Sequence, residues 1–158
     1  MSGLSIATND SELAHWAALA AGLPAEGVRG RYRTEHMCRV RLAKVRWPGG
    51  PRCPKCQSAK FTHITARKIY LCGECRHQYT AISGGLLHGT HLKLSIWFHV
   101  AELIIEHNSR GRGELLTGVK LQELTGVATP RIYPLRKKLL NDLRGINGGY
   151  IGTVICGS

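Results

Sequence analysis

Four cysteines fall in two Cys-x-x-Cys pairs, Cys53-Pro54-Lys55-Cys56 and Cys72-Gly73-Glu74-Cys75, with fifteen residues between them. That spacing is the signature of a zinc site, because each pair sits on a tight turn that presents both sulfurs to one ion. Two such turns on neighbouring hairpins complete a tetrahedral shell that leaves no place for water. One Zn2+ held by Cys53, Cys56, Cys72 and Cys75 is therefore expected to be structural, not hydrolytic. The alternatives are two disulfides or a redox pair. Met1 to Thr8 carries neither the basic stretch nor the long apolar run of a secretory signal, which favours a compartment that keeps thiols reduced. A redox motif would set one pair beside a βαβ pattern, and here two pairs stand without one. His77 is close enough to Cys75 to replace a thiolate, although an exposed strand histidine is the simpler reading. Cys38 and Cys156 lack partners at this spacing and read as small buried or tail residues.

The chain has 158 residues, room for one domain or two small ones with a modest core. Its composition is neither that of a disordered chain nor that of a membrane span. Lys and Arg number 22 against 10 Asp and Glu, a net charge of +12. A balance so basic favours a polyanionic partner. The charge is also uneven: residues 1–28 hold three acids and no base, residues 29–76 thirteen bases and two acids, and residues 77–158 nine bases and five acids. The excess thus centres on the cysteine module and its lead-in. Nucleic acid fits this better than a solvated surface does, and an anionic membrane fits less well because no amphipathic anchor accompanies the charge. The candidate contacts in this region are Arg46, Arg52, Lys55, Lys60, Arg67, Lys68 and Arg76.

The elements that must position these residues follow from periodicity. Asn9-Asp10-Ser11 can cap a helix from Ser11 to Ala21 with Leu13, Trp16, Leu19 and Ala20 on one face, ended by Gly22, Pro24 and Gly27. Thr34 and Glu35 open a second helix. It is expected to carry Met37, Val40, Leu42 and Val45 inward and Arg39, Arg41, Lys44 and Arg46 outward, until Pro48-Gly49-Gly50-Pro51 stops it. Lys60 to Thr65 and Lys68 to Leu71 alternate as a hairpin, with His77 to Ile82 as a third strand. Phe61, Tyr70 and Tyr79 would pack around the metal or, alternatively, stack on bases. After Ser83-Gly84-Gly85 the period becomes helical: Leu94, Trp97, Phe98, Ala101, Ile104 and Ile105 mark the core face, and Ser95, His99, Glu102 and Glu106 the other. Asn108 to Gly113 reads as a flexible loop whose Arg110 and Arg112 could touch a phosphate or serve only as a linker.

Val119 to Arg144 has the shape of a helix-turn-helix. Leu121 and Leu124 line a short helix, Gly126 and Val127 make the turn, and Thr129-Pro130 starts the next helix. That helix would bury Ile132, Leu135, Leu139 and Leu143 and present Arg131, Arg136, Lys137, Lys138, Asn141 and Arg144. In such motifs the second helix enters the major groove, so Arg131 and Tyr133 are the candidates for base reading. Pro134 speaks for a kink or a late start at Tyr133. A plain helical hairpin with a solvated basic face is the alternative.

These residues carry a resemblance. The run Arg46-Trp47-Pro48-Gly49-Gly50-Pro51-Arg52-Cys53-Pro54-Lys55-Cys56, followed by Tyr70-Leu71-Cys72-Gly73-Glu74-Cys75-Arg76-His77-Gln78-Tyr79-Thr80, resembles the N-terminal zinc ribbon of a group of bacterial insertion-sequence transposases. The similarity continues through Leu86-Leu87-His88-Gly89-Thr90, Leu94-Ser95-Ile96-Trp97-Phe98 and Leu121-Gln122-Glu123-Leu124-Thr125-Gly126-Val127, spanning about residues 34–143. The resemblance implies DNA binding for residues 46–144. It implies catalysis only where the acidic triad of a two-metal nuclease domain follows. Residues 145–158 contain no Asp or Glu; Gly149-Tyr150-Ile151-Gly152 resembles the start of that nuclease domain without its first aspartate. Glu114, Glu123 and Asp142 are expected on the surfaces of short helices, apart from one another.

The reading is an α+β fold: a small three-stranded zinc ribbon flanked by N-terminal helices and a C-terminal helix-turn-helix-like segment. Residues 1–47 form the N-terminal helical region, 48–83 the ribbon, 84–144 the DNA-binding helices and 145–158 a tail. The expected function is non-catalytic, zinc-dependent binding of double-stranded DNA, in the cytoplasm near the nucleoid and away from membranes, by a single chain or a homodimer. The alternative is an interaction module that docks on a full-length transposase or RNA polymerase, with the acidic first helix and Trp16 as its face. An active enzyme is the third and least supported class.

Overall fold

In the computed structural model, which describes residues 2–111 and 116–157, seven α-helices and a three-stranded antiparallel sheet form an α+β fold. The helices are α1 (Ser2–Gly22), α2 (Gly27–Arg31), α3 (Glu35–Arg46), α4 (Leu94–Ser109), α5 (Gly118–Thr125), α6 (Thr129–Leu143) and α7 (Gly149–Cys156); the strands are β1 (Phe61–Ile64), β2 (Ile69–Cys72) and β3 (Gln78–Tyr79). Arg112 and Glu114 lie outside the described residues. Asn108 and Ser109, expected in a loop, are the last turn of α4, and Arg110 and Gly111 form the turn after it.

Helix α4 is the axle. Its sequence is apolar on nearly every side, and a helix of that kind must be buried all round. It touches all six other helices. Leu94, Trp97, Phe98, Val100, Ala101, Ile104 and Ile105 are buried along it, so Trp97 and Phe98 are the core anchors expected. The polar face assigned to it does not exist as such. Glu102 is only 9% exposed, and His99 is half-buried beside it with Nδ1 3.8 Å from the carboxylate. Glu102 tolerates this because Val28 donates its backbone N–H to Oε2 at 2.8 Å. That bond also explains α2, a five-residue helix absent from the sequence reading: it is held by a carboxylate 74 positions away.

The first helix begins nine residues earlier than expected and turns Trp16 and Leu19 into the core. Trp16 is 2% exposed, which removes it from any docking face. Helix α3 starts where Thr34 predicts, its Oγ1 accepting the Met37 amide at 3.1 Å. Its inward stripe is displaced, however: Cys38 and Leu42 are buried, whereas Met37 and Val40 are exposed. The reason is α7. Arg41, expected outward, turns inward and donates Nε to the Val154 carbonyl at 2.8 Å and Nη2 to Thr153 at 3.2 Å, satisfying carbonyls at the C-terminal end of that helix.

Residues 145–157, expected as part of a tail, accordingly pack into the fold. A 3-10 turn at Ile146–Gly148 leads into α7, whose Ile151, Val154 and Ile155 are fully buried. The start of α7 has no cap of its own. Asp142 of α6 supplies one, accepting the amides of Tyr150 at 3.0 Å and Ile151 at 2.7 Å.

The sheet has the order β1-β2-β3, with Phe61 opposite Cys72, His63 opposite Tyr70 and Tyr70 opposite Tyr79. The third strand is shorter than expected because the chain leaves the ladder at Thr80. Cys53, Cys72 and Tyr79 form a core of their own, covered by Trp47, Tyr70 and Cys75, while residues from Trp16 to Ile155 share the helical core; Trp47 packs against both. Among the described residues no helix is long and apolar enough to cross a membrane.

Candidate metal centre and cationic surface

The two knuckles are the same turn made twice. Gln57 donates its amide to the Cys53 carbonyl at 2.8 Å, and Arg76 to the Cys72 carbonyl at 3.2 Å. Gln57 and Arg76, each just after the second cysteine of its pair, both adopt φ of +66°. Backbone amides line the sulfurs: Lys55 donates to Cys53 Sγ, and Glu74 and Cys75 to Cys72 Sγ, all at 3.4 Å. Hydrogen bonds from these amides stabilise thiolate over thiol.

All six cysteines are free thiols, and the sulfurs of Cys53, Cys56, Cys72 and Cys75 lie within 4.8 Å of one another. Cys53 Sγ is 3.6 Å from Cys75 Sγ, and Cys56 Sγ is 3.5 Å from Cys72 Sγ. A tetrahedral zinc with Zn–S near 2.3 Å requires sulfur separations of about 3.8 Å, so the four donors fit one structural Zn2+. Without metal, the sulfurs divide their protons unequally. The Cys75 amide, opposed by burial and seconded by the Glu74 amide, brings Cys72 down to about 6. The Ser58 backbone pulls Cys56 down, but burial and its bonds to Cys72, Cys75 and Cys53 push it up to about 12. A divalent cation relieves that conflict by taking the place of the shared protons.

His77 is half-buried just ahead of β3, not exposed within it, and does not join the ligand group; its carbonyl accepts the Cys72 amide at 2.9 Å. The aromatics pack around the centre. Tyr70 stacks on Tyr79 with centroids 5.4 Å apart, and Trp47 meets both edge-on. Burial, together with the negative field of Cys53 and Cys72, raises the Tyr79 hydroxyl above its ordinary value. Phe61 reaches Tyr70 edge-on but stays partly exposed.

The cationic residues divide into free and engaged groups. Lys55, Arg67, Lys68 and Arg76 are exposed on the ribbon, and Arg110 at the end of α4; Arg52 is exposed there too but donates Nη1 to the Gln57 carbonyl at 3.4 Å. Lys60 is exposed but pairs with Glu74 at 3.2 Å. Arg46, expected outward, is half-buried: it donates Nη1 to the Ala81 carbonyl at 2.8 Å and Nη2 to Ser83 at 2.5 Å, and lies 4.9 Å over the Trp47 ring. It joins ribbon to helix instead of facing a ligand.

The expected helix-turn-helix elements are α5 and α6. Thr117 caps α5 by accepting the Lys120 amide at 3.1 Å, and Gly126 ends it at φ +78°, a left-handed value that favours glycine. Ile132, Leu135, Leu139 and Leu143 are buried on α6 as the periodicity required. Leu121 is buried on α5, but Leu124 is exposed. Helix α6 runs through Pro134, which faces out and removes only one bond of the ladder near its start. Arg131, Lys137 and Lys138 are exposed, while Arg136 is half-buried with Nε donated to the Leu116 carbonyl at 2.6 Å. Tyr133 is partly exposed and covers Gly118, whose Cα leaves no space for a Cβ beside the ring. Arg131 and Lys138 border a groove of about 300 Å3 with His88 and His91. Of the acids, Glu123 pairs with Lys120 at 3.5 Å, and both oxygens of Asp142 serve α7. Among the described residues the four thiols are the one set of three or more His, Cys, Asp or Glu side chains gathered as for a metal.

Arg39, expected outward on α3, and His63, to which the sequence reading gave no role, line a cleft between α3 and the ribbon. The two-residue alternation of the hairpin would have put His63 on the face of Tyr70; nothing in the sequence turns Arg39 inward.

Knuckle, sheet and sulfur cage together define a zinc ribbon mounted on a helical core. Residues 33–78 match the family model of the transposase zinc-ribbon domain. The match covers the end of the α2–α3 connection, α3 and the ribbon as far as the first residue of β3, and no catalytic domain is matched. No curated protein and no solved structure matches the chain.

Proposed function

We propose that this chain is a zinc-stabilised DNA-binding protein, in which the ribbon and the α5–α6 pair make one cationic surface for duplex DNA, as the recognition half of an insertion-sequence transposase would. The observation that carries the reading is the exposed face of α6. Arg131, Lys137 and Lys138 project from it, among the described residues none of the three has an acidic partner, and the opposite face is locked into the core. A rigid helix with free cations on one side is what phosphate contact and groove entry require. The ribbon adds Arg52, Lys55, Arg67, Lys68 and Arg76. The match to a transposase zinc ribbon supports a nucleic-acid partner. In this reading Zn2+ holds the ribbon, and the chain's own contribution is recognition.

Binding of zinc-loaded protein to duplex DNA across a salt series tests it. Phosphate contacts release counterions, so affinity should fall steeply with salt, and Lys137→Gln with Lys138→Gln should flatten the slope by roughly two units. A protein that binds no duplex at low salt, or whose slope ignores both lysines, sinks the proposal.

A further inference from the structure

A cleft of about 440 Å3 opens between α3 and the β1–β2 hairpin. That volume is in the range of a site for a single small ligand. Leu94 contributes apolar lining, Arg39 enters from α3, and Arg67 and Lys68 from the hairpin turn. Glu35 lies in the same lining, but both its oxygens accept the Leu94 and Ser95 amides. Among the described residues none of the three cations forms an ion pair. Arg39 Nη1 is buried and has no hydrogen-bond partner. A buried donor left unmade is costly, and a charged one more so, which marks the spot where an anionic oxygen would be gained at full value.

The second observation is planar. His63, Tyr70 and Tyr79 are cross-strand neighbours in one row of the sheet. His63 stacks on Tyr70 at 4.6 Å with 16° between the rings, and Tyr70 on Tyr79 at 5.4 Å with 20°. Tyr79, at the inner end, is fixed in the sulfur core; His63, at the outer end, is exposed and lines the cleft. The metal module thus holds rigid a stack whose last ring is open.

We propose that this cleft receives one unpaired nucleotide of a DNA strand, its base beside the His63–Tyr70 stack and its phosphate on Arg39, Arg67 and Lys68. The site deepens the DNA-binding reading and rests on it. It shares Arg67 and Lys68 with the proposed duplex surface and adjoins the α6 groove at Thr90 and Leu92, but demands a further substrate feature, a frayed or single-stranded end next to duplex. Stacking on aromatic side chains tolerates any base, so the site selects for an unpaired nucleotide and not for a sequence.

The experiment compares zinc-loaded full-length protein on a blunt duplex and on the same duplex with a short single-stranded overhang. The expected result is roughly tenfold tighter binding of the overhang. Arg39→Gln and His63→Ala should each remove most of that preference while leaving blunt-duplex affinity within about twofold and zinc content unchanged. Equal affinity of the wild type for both duplexes overturns the inference and leaves the DNA-binding reading standing. Absence of binding to either duplex overturns both. Saturable binding of free deoxynucleoside monophosphate, lost in Arg39→Gln but without any overhang preference, overturns the assignment to a DNA strand. Should Arg39→Gln lower zinc content, His63→Ala, an exposed substitution, decides alone.

Discussion

The carboxylate of Glu35 accepts the backbone N–H of Leu94 at 2.8 Å, so a side chain in the first turn of α3 caps α4 across 59 positions of sequence. Its other oxygen takes the Ser95 amide at 2.9 Å. Lys93, the residue at the capping position itself, supplies no side-chain bond. The central helix therefore depends at its N-terminus on a carboxylate from its neighbour, which favours the helix dipole as well as the two amides.

Replacing that carboxylate should be felt. Glu35→Gln keeps one acceptor and loses the charge, a loss of about 1 kcal/mol by analogy with helix caps. Burial pushes the Glu35 carboxyl up, but the bonds from Ser95 and Leu94 outweigh it and hold the group below its ordinary value. The folded state therefore binds the carboxyl proton less readily than the unfolded chain does. Stabilisation is complete above the unfolded value and disappears as pH falls through the folded one. In denaturant titrations the gap between wild type and Glu35→Gln should be widest near neutrality and close under acid. Comparing the two proteins at each pH cancels zinc loss, which affects both; a gap that widens with acid contradicts the capping role.

The separation of the two cores predicts the result of metal removal. A strong chelator should melt the ribbon, whose core of Cys53, Cys72 and Tyr79 buries little without metal. The helices share a larger core from Trp16 to Ile155 and should keep most of their far-ultraviolet signal. Elemental analysis should return one zinc per chain, and Cys72→Ser none, with the helical signal retained. Because thiolates are the ligands, zinc should also dissociate as pH falls. Loss of the whole helical signal with the zinc would show that the cores do not fold apart.

Arg46 is the bolt between those cores. Its bonds to the Ala81 and Ser83 carbonyls tie the end of α3 to the chain leaving β3. Arg46→Met keeps much of the stem that covers Trp47 and removes the donors, leaving half-buried carbonyls unpaired at about 1–3 kcal/mol. The loss should appear as faster zinc release to a competing chelator, with the salt slope of DNA binding unchanged. A reduced slope would instead place Arg46 against phosphate.

How much of this was legible depended on where each residue finds its partners. The sulfur cage, the existence of the hairpin and the buried stripe of α6 rest on short spacings, and sequence holds those. The rotation of α3 was missed because Arg41 answers to carbonyls of Val154 and Thr153, more than a hundred residues away. Helix α2 exists through Glu102, and Glu102 looked solvent-facing because helical periodicity cannot tell a surface helix from one surrounded on every side. The cleft escaped notice for the same reason: Arg39 reads as one more base in a basic helix until a hairpin is laid against it.

Helix α7 was hidden most completely, and it carries the last prediction. Its sequence, Gly149 to Cys156, has two glycines and no capping side chain at its start, so local propensity argues against a helix. What permits it is close approach. Gly149 adopts φ +66°, and a Cβ there would collide with the backbone carbonyl and carboxylate of Asp142. The glycine lets the chain pass near enough for both Asp142 oxygens to take the amides of Tyr150 and Ile151. Gly149→Ala should therefore destabilise through backbone strain and loss of the cap together, by more than the roughly 1 kcal/mol of a left-handed residue alone. Asp142→Ala should cost about 1–2 kcal/mol through the cap only. Because both act on one interaction, the double variant should lose less than the two single losses combined. Unfolding midpoints of the four proteins measure this directly, and strict additivity would mean that the glycine matters for some reason other than admitting the aspartate.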